Sequence, residues 1–144
     1  QNMLSTLWLM VIAGRIVTGR MSRSVPHSTM TFFMSLGALL AMLLFISTSS
    51  PFVIGLSIVI IGFMFSGIYP LTMANANPII KGSATSSAIV IAGGGLGSTI
   101  LPYVTGKIAD EWGTTAIIYA IIVTLMAMVI FTGVNRFFVK KPTI

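Results

Sequence analysis

Phe52 to Ala74 reads FVIGLSIVIIGFMFSGIYPLTMA, 23 consecutive residues without a charged side chain. A helix rises about 1.5 Å per residue, so roughly 20 apolar residues cross the hydrocarbon core of a bilayer. Lipid offers no partner to open backbone groups, which predicts a helix for this stretch rather than an isolated strand. Four further apolar blocks flank it. The five predicted helices cover residues 1–18, 30–47, 52–75, 83–105 and 113–135. The fold class is therefore all-α, a single multi-pass transmembrane region over residues 1–144. Gln1 rather than Met opens the chain inside an apolar block, which predicts that further helices precede it.

Composition agrees. Of the 144 residues 56% are hydrophobic and 7% charged, against about a quarter charged in soluble domains. Mean hydropathy is +1.03. An ordinary aqueous globule is excluded. There is no cysteine, so disulfides, thiolate zinc sites, iron–sulfur clusters and a cysteine nucleophile are excluded too. One histidine and two carboxylates are too few for a side-chain metal site. No metal and no cofactor is expected. The net charge of +6 lies between apolar blocks and forms no patch. A nucleic-acid partner is therefore not expected, and the lipid bilayer is the expected surrounding.

The joints are short. Gly19 to Thr29 is basic and contains Pro26, Ser47 to Pro51 is an uncharged turn, Asn77-Pro78 to Gly82 is another, and Asp110 to Gly113 is the last. If all five blocks span, Arg15, Arg20, Arg23, Lys81, Arg136, Lys140 and Lys141 lie on one side and Lys107 alone on the other. Cytoplasmic loops carry the excess of Lys and Arg, so the C-terminus is predicted to be cytoplasmic, in a cell-membrane protein.

Val17-Thr18-Gly19-Arg20 closes the first block and Val104-Thr105-Gly106-Lys107 the fourth. Similar helix ends of opposite orientation are what an inverted repeat of three helices produces, and also what chance gives among common residues.

Gly93-Gly94-Gly95-Leu96-Gly97 lies inside an apolar span, where a nucleotide loop has no preceding strand. Gly93 and Gly97 instead form a GxxxG face that admits another backbone, as tight packing or as a hinge. Pro70 and Pro102 each remove a helical hydrogen bond and can kink their spans. Tyr69 offers a hydroxyl at depth. Asn75 and Asn77 read as polar groups near a helix end. Arg15 either snorkels to headgroups or pairs where helices meet. His27, beside Pro26, reads as a solvated loop residue, and the ten methionines as adaptable packing. No Asp or Glu falls inside a predicted helix, so an intramembrane proton acceptor is missing from these residues. No nucleophile and base can be paired, so an enzyme is not expected.

Gly14-Arg15, then Gly19-Arg20-Met21-Ser22-Arg23, resembles the glycine-and-basic loop after the eighth helix of major facilitator superfamily transporters, without that motif's usual acid. Gly67-Ile68-Tyr69-Pro70, Gly82-Ser83-Ala84-Thr85, Gly93-Gly94-Gly95, Pro102, Gly106 and Asp110 resemble the tenth and eleventh helices of the sugar-transporter branch that includes the fucose permease. The resemblance covers nearly the whole chain. It implies the last five helices of a twelve-helix fold, with the N-terminal half of the same chain as partner. It also implies secondary active transport of a small polar solute, a sugar by the branch, through alternating access. Tyr69 becomes the leading candidate substrate contact, followed by Trp8, Asn2 and Asn75. Gly14, Arg15, Gly19, Arg20, Pro70, Gly93, Gly97 and Pro102 become packing or conformational positions. The alternative is a small oligomeric channel or scaffold subunit whose glycine faces join subunits.

Overall fold

Five helices follow one another in the computed structural model, which describes residues 2–80 and 82–138, and the side chains of all of these but 2–4, 6, 7, 78, 79 and 114. They are α1 (Asn2–Met21), α2 (His27–Ile46), α3 (Pro51–Ile80), α4 (Ala84–Trp112) and α5 (Thr114–Phe138). Four contain stretches long and apolar enough to cross a membrane: His27–Ile46, Pro51–Asn77, Ala84–Trp112 and Thr115–Phe138. The architecture fits a membrane-embedded protein. Helix α1 is not among the four; Arg15 and Arg20 fall in its second half.

Four of the five helices end later than the sequence pattern predicts, and α2 ends one residue earlier, at Ile46. Asn77-Pro78 does not stop α3, which runs to Ile80. The break comes at Gly82, whose φ of +74° belongs to the left-handed region open to glycine. Ser83 then caps α4, its hydroxyl accepting from the Ser86 N–H at 3.4 Å. Asp110, Glu111 and Trp112 are not a turn but the last turn of α4, so both carboxylates sit inside a helix after all. Gly113, at φ +83°, makes the whole joint, its N–H donating to the Ala109 carbonyl at 2.9 Å. Val104–Lys107 therefore lies within α4 and closes no helix, while Val17–Arg20 does lie in the last turns of α1. At 30 residues, α3 is about 45 Å long, well beyond a hydrocarbon core of about 30 Å.

The chain divides into two compact units, Gln1–Asn75 with Leu125–Ile144, and Ala76–Thr124. In the first, contacts fix the helix directions. A Cβ on Gly14 would meet Ser66 and the Phe63 carbonyl, and Thr18 lies against Gly67. Partner numbers rise together, so α1 and α3 run parallel. Met34 lies against Gly67 and Met64 against Gly37. These numbers run oppositely, so α2 is antiparallel to α3. The chain threads up, down and up through α1, α2 and α3.

Between parallel spans lipid gives no hydrophobic drive, so small residues and close packing hold helices together. The buried set fits that rule. Met30, Met34 and Leu71 form the central cluster, with Val25, Met64 and Ile68 packed against it. Ser35 and Ser57 are fully buried, and each donates its hydroxyl to the carbonyl four residues back, Thr31 and Val53, at 2.8 Å. Such back-bonding satisfies a hydroxyl where no water is present. On α5, Gly133 faces the Phe32 ring, and the Arg136 guanidinium lies 5.4 Å from the Phe32 centroid and 5.3 Å from that of Phe33.

In the second unit no residue of α4 is buried. Among the described residues nothing stands within 4 Å of a Cβ placed on Gly93, Gly94, Gly95, Gly97 or Gly106. Lys107 lies over the Tyr103 ring, 5.7 Å from its centroid, one turn away on the same helix.

Candidate functional site

Parallel α1 and α3 place Arg15 and Thr18 of α1 beside the end of the apolar run in α3. A recess opens where the end of α1 and the start of α2 meet the Tyr69–Ala74 stretch of α3. It is a cleft of about 400 Å³. Its polar wall is Arg15, Thr18, Ser22, His27 and Tyr69; its apolar wall is Gly19, Pro70, Leu71 and Ala74. Every one of these residues belongs to the first unit.

Each polar group arrives by a local rule. Arg15, Thr18 and Ser22 recur at helical spacing of three to four residues, one face of α1 continued into the loop. Ser22 donates to the Gly19 carbonyl at 2.9 Å, which leaves its oxygen free to accept. His27 is the first residue of α2 and half-buried, not a loop residue in open solvent. Pro26 sets the start of α2 with a φ of −55° and provides no side-chain acceptor. Tyr69 is 57% exposed, its ring in the cleft mouth ahead of Pro70. Pro70 has no N–H, so the Ser66 carbonyl one turn back loses its helical donor.

Thr18 stands apart. It is only 3% exposed, and its hydroxyl is a buried polar atom without a hydrogen-bond partner among the described residues. Thr31, Thr72, Thr105, Thr124 and Thr132 all donate to a carbonyl one turn back. Thr18 instead holds Oγ1 and Cγ2 against Gly67.

Charge is one-sided. The only acids in the chain, Asp110 and Glu111, belong to the second unit, so the first has no carboxylate side chain. Arg15, Arg20, Arg23 and Arg136, which stacks near the start of α2, gather at one end of it. The α2–α3 joint at the other end, Ser47 to Ser50, is uncharged. Lys81, Lys140 and Lys141 lie outside the described residues.

Of the positions singled out in the sequence, the structure brings Tyr69, Pro70, Arg15 and Gly19 to the cleft. Gly14 underlies it as the close contact with α3. Asn75, half-buried on α3, and Trp8, 61% exposed on α1, are not among its lining. Asn2 opens α1, but its side chain lies outside the described residues. Arg20 is exposed beside the loop. Gly93, Gly97 and Pro102 belong to α4. Thr18, Ser22 and His27 are the members that sequence reasoning passed over. The signal for the first two is their helical register with Arg15. No local signal joins Arg15 to Tyr69, 54 positions later. Among the described residues no group of three His, Cys, Asp or Glu could hold a metal ion.

No family model, curated protein or solved structure matches the chain.

Proposed function

We propose that the protein is part of a secondary transporter that moves a small polar solute across a cell membrane by alternating access. All five helices span, and the arginine-rich end faces the cytoplasm. The observation that supports this reading is the cleft itself. Its polar groups converge from three helices whose other faces are apolar, and a polar recess among membrane spans is a functional site by default. Tyr69 supplies a hydroxyl there, and Pro70 a place for α3 to bend. The sequence resemblance to the major facilitator superfamily supports the same reading and points to sugars as the solute class. In that reading the second half of a twelve-helix protein is seen, and the open glycine face of α4 receives a helix of the other half.

The open α4 face favours one alternative, a small channel or scaffold subunit in which Gly93 and Gly97 meet another subunit. Uptake assays separate the two. A transporter saturates with one solute class and responds to an imposed ion or pH gradient. A channel conducts down the gradient without saturating at the same concentrations. Absence of saturable uptake across a panel of sugars and other polar solutes would remove the transporter reading.

A further inference from the structure

The cleft holds one ligand chemistry better than any other. Arg15 has no carboxylate within its unit, because that unit contains neither Asp nor Glu. Its exposed guanidinium keeps its charge and is open to an anion from outside the unit. Polar side chains line the cleft from three helices and a loop: Arg15 on α1, Ser22 after it, His27 on α2 and Tyr69 on α3. Helix α2 begins at the cleft with His27, and its N-terminal N–H groups receive no side-chain cap. Those free donors and the positive end of the helix favour an anion. No acceptor carboxylate lines the walls.

We propose that this cleft binds a phosphoryl anion. Donors on three sides suit a tetrahedral oxyanion, which accepts from several directions, better than a planar carboxylate. A guanidinium also pairs with phosphate bidentately. Pro70, Leu71 and Ala74 supply an apolar wall for whatever the phosphoryl group is attached to. The site lies at the arginine-rich end of the first unit, and a lipid headgroup and a soluble phosphoryl compound are the two sources of such a group. The inference stands apart from transport: a channel or scaffold could carry the same site.

The test uses the full chain in phosphatidylcholine nanodiscs, with circular dichroism to verify folding of each variant. One arm measures binding of radiolabelled inorganic phosphate by equilibrium dialysis. The other measures retention of phosphatidylglycerol, doped into the discs, by native mass spectrometry. The wild type is expected to bind at least one probe. Arg15→Gln is expected to lower that binding about tenfold or more, the worth of one charge-assisted contact. Tyr69→Phe, which keeps the ring and removes an exposed cleft hydroxyl, should lower it about threefold. Arg23→Gln, an exposed arginine outside the cleft, should change it by less than about twofold. Binding in the phosphate arm identifies a soluble phosphoryl ligand, and in the lipid arm alone a headgroup. The proposal is overturned if neither probe binds the wild type better than Arg15→Gln, or if Arg23→Gln loses as much. Should Arg15→Gln not fold, unchanged binding in Tyr69→Phe overturns it.

Discussion

Thr18 of α1 rests Oγ1 and Cγ2 against the bare Cα of Gly67 in α3, each 2.7 Å from where a Cβ would stand. Met34 closes the same spot from α2, its sulfur at 2.6 Å. A methyl on Gly67 would push three helices apart at once, and overpacking of this kind costs about 1–3 kcal/mol. Gly67→Ala should therefore lower unfolding stability in detergent by that amount. Because Met34 is flexible, Thr18 is the harder obstacle. The double variant Thr18→Ala/Gly67→Ala should recover part of the loss, and strict additivity of the two changes would show that they do not touch.

The two glycine clusters divide sharply. A Cβ on Gly14 would stand 2.9 Å from the Phe63 carbonyl, which is backbone and cannot rotate away, whereas one on Gly93 meets nothing within 4 Å among the described residues. Gly14→Ala should destabilise the fold by about 1–3 kcal/mol. Gly93→Leu should leave unfolding stability within about 0.5 kcal/mol of wild type. If Gly93→Leu lowers uptake while stability holds, the α4 face serves a helix or subunit beyond the described residues. Chemical unfolding followed by circular dichroism measures the first pair of effects and an uptake assay the second.

The apolar blocks marked out five helices, four of them long and apolar enough to span a membrane, because length and apolarity are local properties. The ends were less legible. Asn77-Pro78 looks like a stop, yet α3 continues to Ile80, and the left-handed glycines at 82 and 113 make the breaks. Both glycines stood in the sequence, but a positive φ does not announce itself among 14 glycines. Close packing at Gly14, Gly67 and Gly37 was not legible from composition, since a small residue marks only a possible contact and the register of parallel and antiparallel helices says which ones meet. The cleft follows the same logic. Tyr69 and Arg15 each drew notice alone, whereas their meeting depends on α1 and α3 running parallel. His27 reads as a loop residue because the apolar pattern begins only at Met30, three residues after α2 starts.

Arg136 lies over the rings of Phe32 and Phe33, which themselves meet edge to face with centroids 5.8 Å apart. This stack ties α5 to α2 beside Gly133, where the Phe32 ring approaches to 3.2 Å. Cation–π contacts are worth about 0.5–2 kcal/mol, more when desolvated. Arg136→Gln should therefore destabilise the first unit by about 1 kcal/mol or more, and Arg136→Lys, which keeps the charge but loses the planar stack, by less. Equal losses in the two variants would show that the stack does not matter.

Tyr69→Phe removes one oxygen from the cleft mouth and nothing from the packing, since the ring is more than half exposed. If the hydroxyl contacts solute, losing it should raise the KM for uptake about five- to tenfold, the worth of one hydrogen bond near 1 kcal/mol. Membrane expression should stay at wild-type level. Unchanged KM and kcat in this variant would take Tyr69 out of the solute path.

Orientation can be read directly because the chain has no cysteine. A single cysteine at Ser49, in the uncharged joint between α2 and α3, should react with a membrane-impermeant maleimide added to intact cells. One at Ser24, in the loop between α1 and α2 with Arg20 and Arg23, should react only after permeabilisation. The up-down-up threading of α1 to α3 places these two positions at opposite ends of one unit, so a single span separates them. The arginines select which end stays inside, since each costs several kcal/mol to carry across the bilayer core. Labelling of Ser24→Cys from outside, with Ser49→Cys protected, would invert the molecule and move the Arg15 cleft to the outer leaflet.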